Sequence, residues 1–163
     1  MFSADLRSRA ERLLAAARAE GVKIAAAESC TGGLIAGLLT EIPGSSDVFD
    51  RGFVTYSNQA KEEMLGVPGA MLRQHGAVSE AVARAMAEGA IRNSVAQLSV
   101  AVTGIAGPGG GTEDKPVGLV HIAAARAGEA TLHRECRFGD VGRTEIRLAS
   151  VERALGLLEG LLA

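Results

Sequence analysis

The chain of 163 residues is 47% hydrophobic and 22% charged, with a formal net charge of −2. This balance excludes a disordered segment and a protein held to nucleic acid or membrane by bulk charge. Only two cysteines, Cys30 and Cys136, exclude a disulfide framework, and 3% aromatic residues without Trp exclude a base-stacking platform. No run reaches the length of a membrane span or of a signal-peptide core. The expectation is one soluble cytoplasmic domain over 1–163, with no nucleic-acid or membrane partner.

Ser3 to Glu20 is predicted as a helix, with Ser3 as N-cap, Leu6, Ala10, Leu13, Leu14 and Ala17 on one face, and Gly21 as terminator. Val22 to Ala27 is an apolar strand that turns through Glu28-Ser29-Cys30-Thr31-Gly32-Gly33 into a helix, Leu34 to Thr40. Pro43 to Asp47 is a loop, and Phe49 to Tyr56 alternates as a strand. Ser57 and Asn58 cap a short helix, Gln59 to Leu65, ended by Gly66; a helical turn follows from Gly69 to Gln74. Ser79 caps Glu80 to Arg92, with Val82, Met86 and Ala90 inward. Leu98 to Thr103 is a strand that empties into a glycine-rich loop, Gly104 to Gly111. Val117 to Ala125 and Ala130 to Phe138 form a hairpin about Ala127-Gly128-Glu129. Asp140 to the end is a helix with Ile146, Leu148, Val151, Leu155, Leu158 and Leu162 on its apolar side. Interleaved strands and helices, then a hairpin, predict a three-layer α/β/α domain on a mixed, mainly parallel sheet.

Three turns follow the carboxyl ends of predicted strands, where open α/β sheets bind ligands. Ser29 sits in the first, at a strand-to-helix turn whose free helical N–H groups face whatever binds there. A Ser in that place more often caps a helix, and as a nucleophile it needs a base. His75, His121 and His133 offer no triad spacing, and there is no Gly-x-Ser-x-Gly elbow. Cys30 is an alternative nucleophile, although a small buried Cys is the ordinary role. Among the lysines, Lys23 reaches solvent from its strand and Lys115 sits beside Glu113 and Asp114. Lys61 lies in the first turns of a helix, where the dipole disfavours a cation; a solvated surface lysine beside Glu62 and Glu63 is the competing role. Tyr56, the only Tyr, ends its strand at the same sheet edge and either relays a proton, holds the lysine or simply packs. The glycine loop matches neither a Walker A loop nor Gly-x-Gly-x-x-Gly. It is either a partial anion nest, with Thr103 facing the same cleft, or a flexible surface loop. Residue types alone therefore give an anionic small-molecule site with a Ser and a candidate Lys.

Five blocks occur in order: Ala27-Glu28-Ser29-Cys30-Thr31-Gly32-Gly33, Gly52 to Lys61, Gln74 to Glu80, Thr103 to Pro108, and Lys115-Pro116-Val117-Gly118. Together they resemble the C-terminal domain family of the competence/damage-inducible protein CinA, in particular its stand-alone nicotinamide-nucleotide amidases, over nearly the whole chain. The resemblance implies hydrolysis of nicotinamide mononucleotide to nicotinate mononucleotide and ammonia, in pyridine-nucleotide salvage, without metal or organic cofactor. It implies Ser29 as nucleophile, Lys61 as base and Tyr56 as assistant. Substrate binding would fall to Glu28, Cys30, Thr31, Gly32, Gly33, Ser57, Asn58, Thr103, Gly104, Ile105, Ala106 and Gly107. Backbone N–H groups of Cys30 to Gly33 would form the oxyanion hole, and the Gly104–Gly111 loop would hold the phosphate. The family often carries an Arg directly after the Asp of Gly139-Asp140; here Val141 stands there, leaving Arg143 and Arg147 as stand-ins. The alternative is a non-catalytic nucleotide-binding or protein-interaction module linked to competence or DNA damage. Helical faces rich in Ala and Leu fit a homodimer.

Overall fold

The computed structural model describes residues 1–162. Its elements are α1 (Ala4–Glu20), β1 (Ile24–Glu28), α2 (Leu34–Glu41), β2 (Phe49–Val54), α3 (Asn58–Leu65), α4 (Gly69–His75), α5 (Glu80–Arg92), β3 (Leu98–Gly104), β4 (Leu119–Arg126), β5 (Leu132–Arg137) and α6 (Arg143–Leu162); a 3-10 turn covers Ser45–Asp47. Serine hydroxyls start three helices by accepting the N–H three residues on: Ser3 from Leu6, Ser57 from Ala60 and Ser79 from Val82. Gly21 and Gly66 end α1 and α3 in left-handed conformation, as expected of helix C-termini.

The sheet order is β2-β1-β3-β4-β5. β1 is parallel to both β2 and β3, whereas β4 is antiparallel to β3 and to β5. Alternation along the strands supplies both faces. Ile24, Ala26, Val100, Val102, Ile122 and Ala124 face α1, α2 and α6. Ala25, Ala27, Ala101, Ala123 and Ala125 face α3, α4 and α5. The first face is filled by large aliphatics such as Leu13, Leu14, Ile35 and Leu155, each worth about 1.5–3 kcal/mol when buried. The second is almost all alanine, so α5 lies close against the sheet. Gly89 of α5 presses on α3: a β-carbon there would collide with the Leu65 carbonyl oxygen. This is the mixed α/β/α sandwich expected from the sequence.

Element ends shift for identifiable reasons. Val22 is used to close α1, its N–H reaching Ala17 O, so β1 begins two residues later. β4 begins after Val117 because Gly118 has φ +91 and a β-carbon on it would strike Gly139 O. α6 begins at Arg143 because Gly139 and Gly142 have positive φ. On α6, Leu161 is buried and Leu162 only partly so. No helix of the described residues is long and apolar enough to cross a membrane.

Parallel register sets up the site. Glu28 pairs with Val54 on one side and with Val102 on the other. Their successors, Ser29, Thr55 and Thr103, therefore leave three neighbouring strands side by side at one edge.

Candidate active site

The ladders continue one step past the strands: Thr55 N–H donates to Glu28 O and Ser29 N–H to Val102 O, each at 2.9 Å. Ser29 then turns away from α2 and toward α3. Lys61 is carried there by α3, whose start the Ser57 hydroxyl fixes. Its ammonium nitrogen lies 3.1 Å from Ser29 Oγ and donates to Thr55 O at 2.8 Å. Lys61 is 1% exposed and Ser29 8%. Burial pushes the Lys61 pKa below the usual lysine value, the Cys30 thiol opposing it to a lesser degree. A buried amine with a depressed pKa beside a hydroxyl can accept that hydroxyl's proton. The cause is burial in the α3–α5 layer, where the sequence had pointed to the helix dipole.

A cavity of about 290 Å³ opens over the pair, at the small end for a ligand site. Ser29, Cys30, Tyr56, Asn58, Lys61, Thr103, Gly104, Ile105, Ala106, Gly107 and Arg143 line it, together with Ala77, Val78, Gly109 and Gly110. No Asp or Glu is among them, and Arg143 brings a cation to the rim.

The glycine loop is built, not loose. A β-carbon on Gly104 would meet Leu119 O at 2.9 Å, on Gly107 a Val117 methyl at 2.6 Å, and on Gly111 Val117 N at 2.8 Å. Ile105 N–H is tied to Leu119 O, but the N–H groups of Ala106, Gly107, Gly109 and Gly110 find no acceptor among the described residues. Free amides beside an arginine are the kind of donors that concave anion sites use. Arg143 anchors this loop by donating to Gly107 O at 2.7 Å.

Other residues named from sequence are placed differently. Glu28 is fully buried, and its carboxylate accepts from Ile35 N–H at 2.9 Å and Ala36 N–H at 3.1 Å. It thus occupies the N-terminal amides of α2 that were expected to face a ligand, and it does not line the cavity. Ser29, correspondingly, caps nothing. Gly33 begins α2 with φ +99, and Gly32 closes the turn with its N–H on Ser29 O; both lie behind the cavity, as does Thr31. Ser57 stands outside the lining because its hydroxyl is used as a cap. Thr103 is 1% exposed, and its Oγ1 donates to Ala77 O at 2.9 Å and so holds the Ala77–Val78 wall.

Tyr56 is 63% exposed, and its phenol oxygen accepts from Arg143 at 3.1 Å. It has no hydrogen bond to Ser29 or Lys61, so neither relay nor lysine support is visible; it steadies the rim arginine. Burial pushes the Cys30 thiol up to about 11, which keeps it protonated and poorly nucleophilic. His121 and His133 bond each other at 3.0 Å under α5, outside the cavity. Sequence reasoning missed Ala77 and Val78, which carry no chemical signal. It had named both arginines only as stand-ins: Arg143 reaches the cavity, and Arg147 grips the back of the Ser29 turn through Cys30 O at 3.0 Å and Thr31 O at 3.1 Å.

Comparison with known proteins gives a consistent picture. A family model described as the CinA C-terminal domain matches residues 6–162. The CinA-like protein of Syntrophobacter fumaroxidans is 55% identical over 141 residues, 86% of this chain and 33% of that protein. The CinA-like protein of Anaeromyxobacter sp. (strain K) is 52% identical over 149 residues, 91% of this chain and 36% of that protein. The chain thus spans about a third of the length of these relatives. The crystal structure of the competence/damage inducible protein CihA from Agrobacterium tumefaciens superposes with TM-score 0.98 at 55% identity, covering 100% of this chain and 99% of that one. A CinA superfamily protein from Escherichia coli gives 0.91 at 32% identity, over 99% and 94%.

Proposed function

The chain belongs to the CinA C-terminal domain family, and on that premise we propose that residues 1–163 act as one amidase domain hydrolysing the carboxamide of nicotinamide mononucleotide. The observation that carries the reading is the 3.1 Å approach of Lys61 Nζ to Ser29 Oγ, both buried at the floor of a cavity without carboxylates.

With Lys61 neutral, Ser29 Oγ attacks the carboxamide carbon and its proton passes to Lys61 Nζ. The tetrahedral adduct collapses, the C–N bond breaks, and Lys61 returns the proton to the departing nitrogen, which leaves as ammonia. Water then attacks the acyl-Ser29 ester, giving its proton to Lys61, and nicotinate mononucleotide departs as the Ser29 hydroxyl is restored. Thr55 O holds one lysine N–H and so directs the lone pair toward Ser29. The N–H group of Cys30, which lines the cavity and has no backbone acceptor among the described residues, suits the developing oxyanion. Arg143 and the free amides of the glycine loop suit a phosphate at the other end of the substrate.

The test is ammonia and nicotinate mononucleotide release by the purified chain, with mass spectrometry for an acyl group on Ser29. Ser29→Ala and Lys61→Ala should abolish turnover. Full turnover in either variant would sink the mechanism, and nucleotide binding without turnover in wild type would favour a binding module.

A further inference from the structure

The Ser29 turn carries an arginine on the side opposite its chemistry. Arg147, on the second turn of α6 behind the wholly buried Ile146, does not line the cavity. Its Nε donates to Cys30 O at 3.0 Å and its Nη2 to Thr31 O at 3.1 Å. One planar guanidinium therefore holds two consecutive carbonyls, a geometry that a fork of fixed donors enforces and a point charge does not. The turn is shaped to admit it: Gly32 has φ +55, and a β-carbon there would stand 3.3 Å from Arg147 Nη2.

Peptide geometry transmits this grip to the other side. In a trans peptide the N–H lies opposite the C=O. The Cys30 carbonyl shares its plane with the Thr31 N–H, and the Thr31 carbonyl shares its plane with the Gly32 N–H. The Gly32 amide is used inside the turn, on Ser29 O at 3.0 Å. That bond carries the grip to the Ser29–Cys30 peptide, whose N–H lies opposite the Ser29 carbonyl, belongs to a residue lining the cavity and has no backbone acceptor among the described residues; Thr31, completely buried, does not line it. A buried N–H without a partner is costly and rare, and catalytic sites are where such donors are kept in reserve.

We propose that Arg147 is a positioning residue for acyl transfer: by clamping the Cys30 and Thr31 carbonyls from behind, it fixes the turn that holds the Cys30 amide, at the border of the cavity, as a donor for the oxyanion at acylated Ser29. This rests on the Ser29 acyl-transfer reading and adds to it a residue that touches neither substrate nor the reacting atoms. Glu28 holds the same turn through α2, so the loop is fixed from two sides and Arg147 sets the peptide planes rather than the chain path.

Arg147→Ala and Arg147→Lys separate this role from a structural one. Loss of a single oxyanion donor costs about 10²–10³ in kcat, so mis-aiming in Arg147→Ala should cost about 10–100-fold in kcat with KM within about threefold. Arg147→Lys, able to serve only one carbonyl, should fall between Arg147→Ala and wild type. Added methylguanidinium should restore part of the kcat of Arg147→Ala and none of Ser29→Ala. A fluorophosphonate reports the same donor independently of the amide substrate, because its phosphoryl oxygen needs it; its reaction with Ser29 should slow in parallel with kcat. A kcat within about twofold of wild type in Arg147→Ala, or a loss confined to KM and thermal stability without rescue, would overturn the inference. If wild type cleaves no nicotinamide nucleotide yet Ser29 is phosphonylated, and more slowly in Arg147→Ala, the substrate reading fails and this one stands. If wild type shows neither reaction, both fail.

Discussion

Replacing Lys61 by methionine tests the central residue by two independent readouts. Methionine keeps the length of the lysine stem and removes the base, so kcat/KM should fall about 10²- to 10⁴-fold. The second readout is stability. Lys61 is 1% exposed and its pKa is pushed below 10.5 by burial. Between the lowered native value and 10.5 the unfolded chain binds a proton that the folded chain does not, so unfolding free energy rises with pH across that window, by about 1.4 kcal/mol per unit. The lysine's penalty is absent above 10.5 and complete below its native pKa. The thioether of Lys61→Met carries no such penalty but strands the Thr55 carbonyl, a loss of about 1–3 kcal/mol that does not vary with pH. The stability of Lys61→Met relative to wild type should therefore be greatest at low pH and decline as pH rises. Urea unfolding followed by circular dichroism, suited to a chain without Trp, measures the difference at each pH. A difference that stays flat up to pH 10.5, or grows with pH, would refute a desolvated lysine. In wild type, kcat/KM should climb as Lys61 loses its proton, with a limb below that of a free lysine.

Three further outcomes follow from single contacts. Cys30→Ala should keep kcat/KM within about threefold, and native Cys30 should resist iodoacetamide at pH 8, because its thiol pKa is raised to about 11; rapid alkylation in the folded state would contradict this. Glu28→Gln should cost about 1.5–3 kcal/mol in urea unfolding, because an amide offers one acceptor oxygen where the carboxylate serves both Ile35 and Ala36; an unchanged midpoint would show that the cap is idle. Gly89→Ala should destabilise by about 1–3 kcal/mol and lower turnover as well, because its methyl group pushes the Leu65 end of the helix that carries Lys61. Full activity with reduced stability would uncouple that helix from the site.

Where a structural signal is local, the sequence carries it. Ser3, Ser57 and Ser79 bond an amide three residues away, and Gly21 and Gly66 reverse the chain on the spot, so those helix ends are readable from a few residues. Strand ends are set by partners far along the chain. Gly118 is stopped by Gly139, twenty-one residues away, which no pattern within Val117–Ala125 announces. The resemblance to the CinA C-terminal domain supplied the pairing of Ser29 with Lys61. Composition did not, because the burial that depresses the lysine is tertiary, whereas in its own helix Lys61 reads as a solvated lysine beside Glu62 and Glu63.

Glu28 marks the sharper limit. A Glu beside a Ser in the family block was expected to bind substrate, and the free amides of the next helix to face a ligand. In the fold these two features answer each other, and neither is left for the substrate. Alternation explains why: successive side chains leave a strand on opposite faces, so Glu28 faces α2 and Ser29 faces α3. With the α2 amides consumed, the helix end offers no donors to the cavity, and the turn before it has its carbonyls held from behind by Arg147. The same parity that places Ser29 against Lys61 thus leaves the turn, and not the helix end, at the cavity, and that turn is held by an arginine 118 residues further along the chain than the serine.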